Sequence, residues 1–218
     1  MGTNSNSLPR LYMITDRSQT LGRPLLDVVK TALEGGVRMI QLREKDLSGN
    51  ELFNLARELR LLTRKYGSRL LINDRIVVAL AVGADGVHLG HQSMSVQDAR
   101  RAVESSSFLI GVSTHSLEEA LHAQSDGADF ITFGPVYFTP SKAAYGQPVG
   151  IDKLKEAAEA VNIPIYALGG IRRENIEGVL NAGVYGVAMI SNIMAAADVK
   201  KETENILAAI DDYRTLNT

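Results

Sequence analysis

The chain has 218 residues, which at roughly 100 to 200 residues per domain allows one large domain, two small ones or a single barrel. At 45% hydrophobic and 22% charged it is too apolar for a disordered protein, and 23 Lys+Arg against 25 Asp+Glu leave a net charge of -2, with no global field for nucleic acid or anionic membrane. Zero cysteines exclude disulfides, thiolate metal sites and cysteine nucleophiles, which fits a reducing, cytoplasmic setting.

Residues 1–9 read as a flexible tail: the opening is polar, lacks an apolar core, and carries Asn6 where a myristoylation signal needs Ser or Thr. Residues 10–218 then read as one domain. Eight apolar runs of strand length follow: Leu11 to Ile14, Met39 to Arg43, Leu70 to Asn73, Gly86 to Leu89, Phe108 to Ser113, Phe130 to Phe133, Ile165 to Leu168 and Gly186 to Ile190. Each leaves room behind it for a helix. Ser48-Gly-Asn-Glu51 predicts a capping box before Leu52, Leu55 and Leu59, whose spacing makes one apolar face, and Ser116 to Gln124 looks similar. Glycine-bearing punctuation recurs between helix and strand, as Gly35-Gly36-Val37, Gly83-Ala84-Asp85-Gly86, Gly127-Ala128-Asp129 and Ala182-Gly183-Val184-Tyr185-Gly186. A glycine there ends a helix in a left-handed cap.

Strands joined by helices run parallel. Eight of them in this length predict an α/β fold, a single (β/α)8 TIM barrel. The rival, an open doubly wound sheet, would carry a Gly-rich turn after its first strand, where this chain reads Ile14-Thr-Asp-Arg-Ser-Gln. No apolar run approaches the ~20 residues that cross a bilayer. No interdomain linker is visible.

In a parallel barrel, alternate residues share a side and reactive groups gather at the carboxyl ends of the strands. Gln41, Arg43 and Lys45 alternate with Ile40 and Leu42, so two cations and an amide converge on the mouth. Asn73 and Asp74 end the third run; either they cap the helix starting near Arg75, or Asp74 offers oxygen to a divalent cation. Gly111, Ser113 and His115 share a side after the fifth run, making His115 the best-placed acid/base group. His88 reads as a hydrogen-bonded core histidine, His122 as an exposed helix residue, and His91 as a lesser ligand contact. The long stretch from Phe133 to Gly150 offers Thr139, Ser141 and Lys142 in a binding loop stiffened by Pro140 and Pro148. Gly169-Gly170 and Ile190-Ser191 end the last two runs, where barrels of this kind bind phosphate through backbone N–H groups. Arg43, Lys45 and Lys142 thus form one arc and a neutral phosphate cradle another. Two phosphorylated ligands, or one charged at both ends, would satisfy both.

In order, Gln41-x-Arg43-x-Lys45, Asn73-Asp74, Gly86-Val87-His88-Leu89-Gly90, Gly111-Val112-Ser113-Thr114-His115, Gly134-Pro135-Val136 with Thr139-Pro140-Ser141-Lys142, Gly169-Gly170-Ile171 and Ile190-Ser191 closely resemble the thiamine phosphate synthase and TenI superfamily, from Leu11 to Asn192. The resemblance implies an enzyme that joins hydroxymethylpyrimidine pyrophosphate to a thiazole phosphate with the help of magnesium. It implies that Gln41, Arg43, Lys45, Asn73, Ser113 and Lys142 contact the pyrimidine substrate, that Thr139, Pro140, Ser141, Gly170, Ile190 and Ser191 face the thiazole phosphate, and that Asp74 holds the metal. One departure stands out: the synthase pattern has a second acidic magnesium ligand after the fourth strand, and here the segment Gly90-His91-Gln92-Ser93-Met94 places Ser93 there. The TenI branch, a thiazole tautomerase, uses a histidine as proton shuttle, for which His115 is the match. A non-catalytic barrel sensing thiamine precursors is the third reading. The implied partners are small phosphorylated substrates, with no nucleic acid and no membrane; a homo-oligomer is compatible with all three readings.

Overall fold

The computed structural model describes residues 8–103, 105–139 and 147–216. Eight parallel strands close into a barrel in sequence order: β1 Leu11–Ile14, β2 Met39–Leu42, β3 Arg69–Asn73, β4 Gly86–Leu89, β5 Leu109–Thr114, β6 Phe130–Phe133, β7 Ile165–Leu168 and β8 Gly186–Met189, with β8 pairing back onto β1. The helices α1 Leu25–Glu34, α2 Gly49–Lys65, α3 Ile76–Ala81, α4 Val96–Ala102, α5 Leu117–Ser125, α6 Gly150–Ala160 and α7 Ile176–Leu180 follow the first seven strands, and α8 Ser191–Met194 and α9 Val199–Leu216 follow the eighth. Among the described residues, no helix is long and apolar enough to cross a membrane.

Local signals place these elements. Ser48 and Glu51 form the capping box of α2, and Ser116 caps α5 by accepting from the Glu119 N–H. Gly36, Gly83, Gly127 and Gly183 all take positive φ where helix gives way to strand, a conformation that costs a side-chain-bearing residue more.

Four strands differ from the sequence reading by one residue at an end, β5 at both. Arg43 lies past β2 because its N–H donates to the Thr15 hydroxyl instead of the ladder. Phe108 belongs to a turn, its N–H on the Ser105 carbonyl, so β5 runs one residue later. Arg69 pairs with Met39 and lengthens β3, and the Ile190 carbonyl already accepts the first bonds of α8.

Apolar packing forms two bodies. Between sheet and helices lies a continuous layer that includes Ile40, Leu42, Leu59, Leu70, Ile110 and Val187. Inside the barrel, Tyr12, Phe130 and Tyr166 meet at ring centroids 5.5 to 5.6 Å apart, with Ile14, Met39, Leu71 and Ala188 around them. Alternation along each strand divides the two sets.

At the amino-terminal end of the strands one device is used twice. Asp85, just before β4, takes both terminal nitrogens of Arg60 from α2 and accepts from the N–H of Leu70 in β3. Asp129, just before β6, takes Arg100 from α4 and accepts from the N–H of Ile110 in β5. Two of the four glycine punctuations therefore carry an aspartate that ties helix, strand and turn together. Leu8 and Pro9 close the same end with their carbonyls, which accept from the hydroxyls of Tyr185 and Tyr166.

Candidate active site

The opposite end of the barrel opens into a cavity of about 910 Å³. Gln41, Arg43, Lys45, Asn73, Asp74, Ser113, His115, Thr139, Gly170, Ile190 and Ser191 all line it. Pro140, Ser141 and Lys142 lie outside the described residues. Side chains up to 150 positions apart in sequence meet there because each sits at or just past the carboxyl end of its strand.

The β2 arm grades from buried to exposed. Gln41 is buried in the barrel, Arg43 is half-buried, and Lys45 is exposed at the rim. The arm is pinned from below: Thr15 accepts from the Arg43 N–H at 2.9 Å and donates its hydroxyl to Glu44 at 2.7 Å. Glu44 also accepts from the Arg17 N–H. Burial raises the Glu44 pKa, and the bonds from Thr15 and Arg17 oppose that rise. The Arg43 guanidinium forms no hydrogen bond to a described residue. Its charge helps hold the Asp16 carboxyl down together with bonds from Ser18 and Gln19, which outweigh the effect of burial.

Asp74 does not cap α3. Arg75 stands at the cap position, with no side-chain bond to the helix, and Asp74 has φ +63, a left-handed conformation that L residues other than Asn and Asp rarely take. Its carboxylate has no hydrogen-bond or ion-pair partner among the described residues. A positive φ at a non-glycine residue beside a cavity is the kind of backbone strain that clusters at ligand sites. Among the described residues no three His, Cys, Asp or Glu side chains group as a metal cluster. Across the mouth the Ser93 hydroxyl accepts from the Gly90 N–H at 2.7 Å. One free carboxylate fits magnesium, which commonly keeps waters and takes one or two protein carboxylates plus phosphate oxygens.

Ser113 faces inward to His88, whose Nε2 lies 3.0 Å from its hydroxyl. His88 is a buried core histidine on β4, as its strand position suggested, and burial together with the Arg43 charge lowers its pKa to about 3. It is neutral at physiological pH. Gly111 makes the room: a Cβ there would stand 2.3 Å from Phe130 and 2.7 Å from His88 Nδ1. His115 lies past the end of β5 on the rim. Its Nδ1 donates to the Gly134 carbonyl, which leaves Nε2 as the lone-pair nitrogen of the neutral ring, and its backbone N–H donates to Glu119.

The far side of the mouth consists of backbone. Gly169 and Gly170 have φ +99 and +64, and Cβ atoms there would collide with Pro135 and Tyr137. The Tyr137 N–H donates to the Gly169 carbonyl, so the glycine pair locks the start of the β6 loop against β7. The N–H groups of Gly170, Ile171, Ser191 and Asn192 bond no carbonyl among the described residues and stand beside the cavity. Residues that the sequence reading did not single out also matter here. Tyr12, Thr132, Glu44 and Thr15 support the site; the inward position of Tyr12 beside Ile14 was the one available signal.

Residues 11–193 match the TMP-TENI family, described as thiamine monophosphate synthase. A protein of Geobacter sulfurreducens named "Putative thiamine-phosphate synthase" is 56% identical over 200 residues, 92% of this chain and 93% of that one. The thiamine-phosphate synthase of Clostridium novyi is 42% identical over 197 residues, 90% of this chain and 96% of that one. The solved thiamine phosphate pyrophosphorylase of Pyrococcus furiosus matches with a TM-score of 0.85 at 40% identity, covering 94% of this chain and 96% of its own. With the match running from the first strand of the barrel into α8, and with such relatives spanning nearly its whole length, the chain belongs to the thiamine monophosphate synthase (TMP-TENI) family.

Proposed function

We propose that this protein is a thiamine phosphate synthase, condensing hydroxymethylpyrimidine pyrophosphate with thiazole phosphate to give thiamine phosphate and pyrophosphate. The observation that carries this reading is the pairing, in one cavity, of the Arg43 guanidinium with the N–H groups of Gly170 and Ser191, none of which bonds to a described residue. One end suits a diphosphate and the other a phosphate monoester. Lys142 belongs to the same reading as a further cation on the diphosphate, and Thr139, Pro140, Ser141 and Ile190 as walls for the thiazole.

The bond that breaks joins the pyrimidine methylene to a diphosphate oxygen; the bond that forms joins that carbon to the thiazole nitrogen. As the diphosphate leaves with the electron pair, positive charge spreads into the pyrimidine ring. Arg43 and Lys45 meet the negative charge growing on the leaving group, which lowers the barrier because that charge is largest in the transition state. Asn73 orients the diphosphate, and Ser113 and Gln41 hold the ring so that its methylene faces the thiazole. Magnesium, held by Asp74 and diphosphate oxygens, would supply further positive charge to the leaving group. The absence of cysteine fits a cytoplasmic enzyme.

The test is turnover by the purified full-length chain with both substrates and magnesium. Thiamine phosphate and pyrophosphate should form in equal amounts, and Arg43→Ala should slow this by roughly 10²–10³. Ser93 at the second acidic position and the His115 Nε2, which bonds to no described residue and faces away from the Gly134 contact, favour a second reading, the thiazole tautomerase. Metal-independent isomerisation of the carboxythiazole phosphate, lost in His115→Ala and without thiamine phosphate formation, would replace the first reading with the second.

A further inference from the structure

The cavity floor rests on a file of uncharged polar side chains crossing the barrel interior. Gln41 Nε2 donates to the Tyr12 hydroxyl at 2.9 Å; that hydroxyl lies 3.3 Å from His88 Nδ1; His88 Nε2 lies 3.0 Å from Ser113 Oγ and 3.4 Å from Thr132 Oγ1. Tyr12, Gln41 and His88 are buried, while Gln41 and Ser113 reach the cavity.

Donor and acceptor counts restrict this file. A phenol has one proton to give, and a neutral imidazole has one donor nitrogen and one acceptor. Around the His88 ring stand Tyr12, Ser113, Thr132 and Phe130, none of them acidic, and the Arg43 charge acts against a cation there, so nothing beside the ring favours the charged form. Were Tyr12 to accept from both Gln41 and Nδ1–H, its own buried proton would have no acceptor among the described residues, so with every proton bonded the hydrogen atoms run along the file in two directions. In one, Gln41 donates to Tyr12, Tyr12 to Nδ1, and Nε2–H to Ser113, which leaves the Ser113 proton free for the cavity. In the other every bond is reversed, and Ser113 and Thr132 both donate to the single lone pair of Nε2. The observed amide orientation matches the first direction. One N–H shared between two oxygens is also a common arrangement, as in three-centre bonds.

We propose that Tyr12 and His88 are positioning residues that fix Ser113 as a hydroxyl donor and Gln41 as a carbonyl acceptor, so that the floor selects a ring presenting a lone-pair nitrogen beside an N–H. The Gln41 carbonyl oxygen supports this, having no described partner while not being a sealed, unsatisfied atom. Identifying that ring as the aminopyrimidine rests on the synthase reading; the direction of the file does not.

Nitrogen-15 NMR of the imidazole-labelled full-length protein separates the two. The expected result is a neutral His88 with its proton on Nε2, losing this preference in Tyr12→Phe. A proton on Nδ1, or an imidazolium at neutral pH, overturns the proposal and leaves the synthase reading standing. In kinetics, Tyr12→Phe should raise KM for the pyrimidine substrate about ten-fold, the worth of one well-placed hydrogen bond, with kcat and the thiazole phosphate KM nearly unchanged. His88→Leu should be worse, and His88→Gln, whose amide N–H can stand where Nε2–H stood, should recover most of the loss. An equal fall in kcat with either substrate, or no recovery by Gln, would overturn the proposal in favour of a packing role. Failure of the unmodified protein to make thiamine phosphate counts against the synthase reading alone, because the tautomer is read without turnover.

Discussion

The two ends of the barrel use charge in opposite ways. At the amino-terminal end, Asp85 and Asp129 are each matched by an arginine and a strand N–H, so their charges are neutralised within the protein. At the carboxyl-terminal end, the Arg43 guanidinium, the Asp74 carboxylate and the N–H groups of Gly170 and Ser191 bond to no described residue. Paired groups stabilise the fold; groups left unpaired beside a cavity are available to a ligand, which has to be bound at no loss of internal bonds. Mutations at the two ends should therefore separate stability from activity.

The largest effect is expected at the open end. Arg43→Ala should cost roughly 10²–10³ in kcat/KM, the size of a lost charge-stabilising donor, while the melting temperature measured by calorimetry stays near that of the unmodified protein. A comparable loss of stability would show that Arg43 belongs to the packing. Next comes the closed end, where Asp85→Ala strands Arg60 and the Leu70 N–H. Discounted for an aspartate side chain 32% exposed, the cost is about 2 kcal/mol in denaturant unfolding, with kcat/KM unchanged.

A third probe concerns the buried file between the ends. The folded pKa of His88, about 3, lies below the ordinary 6.5, so the unfolded chain takes up a proton first. Stability from this group is complete above the ordinary value and is lost as pH falls toward the folded one. At mildly acidic pH this amounts to about 2 kcal/mol. Urea unfolding of His88→Gln across this range should show a flatter acid limb. A stability change of opposite sign, smaller than those at Asp85 and His88, is expected at Asp74. Asp74→Gly relieves a positive φ and an unpaired charge, so unfolding should become harder by about 0.5–1 kcal/mol while magnesium-dependent turnover falls. A loss of stability would mean that the carboxylate is a structural partner.

Much of this architecture was legible because it is written locally. The Ser48-Glu51 box and the glycines at positions 36, 83, 127 and 183 act within a few residues, so their reading needed no tertiary knowledge. Alternation along the second run likewise put Gln41 and Arg43 on the cavity side. Asp74 was ambiguous between cap and ligand because both roles place an aspartate before a helix; the structure removes the cap, since Arg75 holds that position. Asp85 was legible as part of a turn between helix and strand, but its partnership with Arg60 was invisible, since nothing in a sequence pairs residues 25 apart on different elements.

Strand length, helix caps, the parallel arrangement and the side on which each polar residue faces follow from the order of amino acids, because they depend on short-range sterics and on periodicity. Ring closure alone decided which of those residues touch. It set His88 between Tyr12, 76 positions away, and Ser113, 25 positions away, and buried its ring. The result is a buried imidazole that stays neutral at physiological pH, a property of the assembled interior that no local pattern encodes.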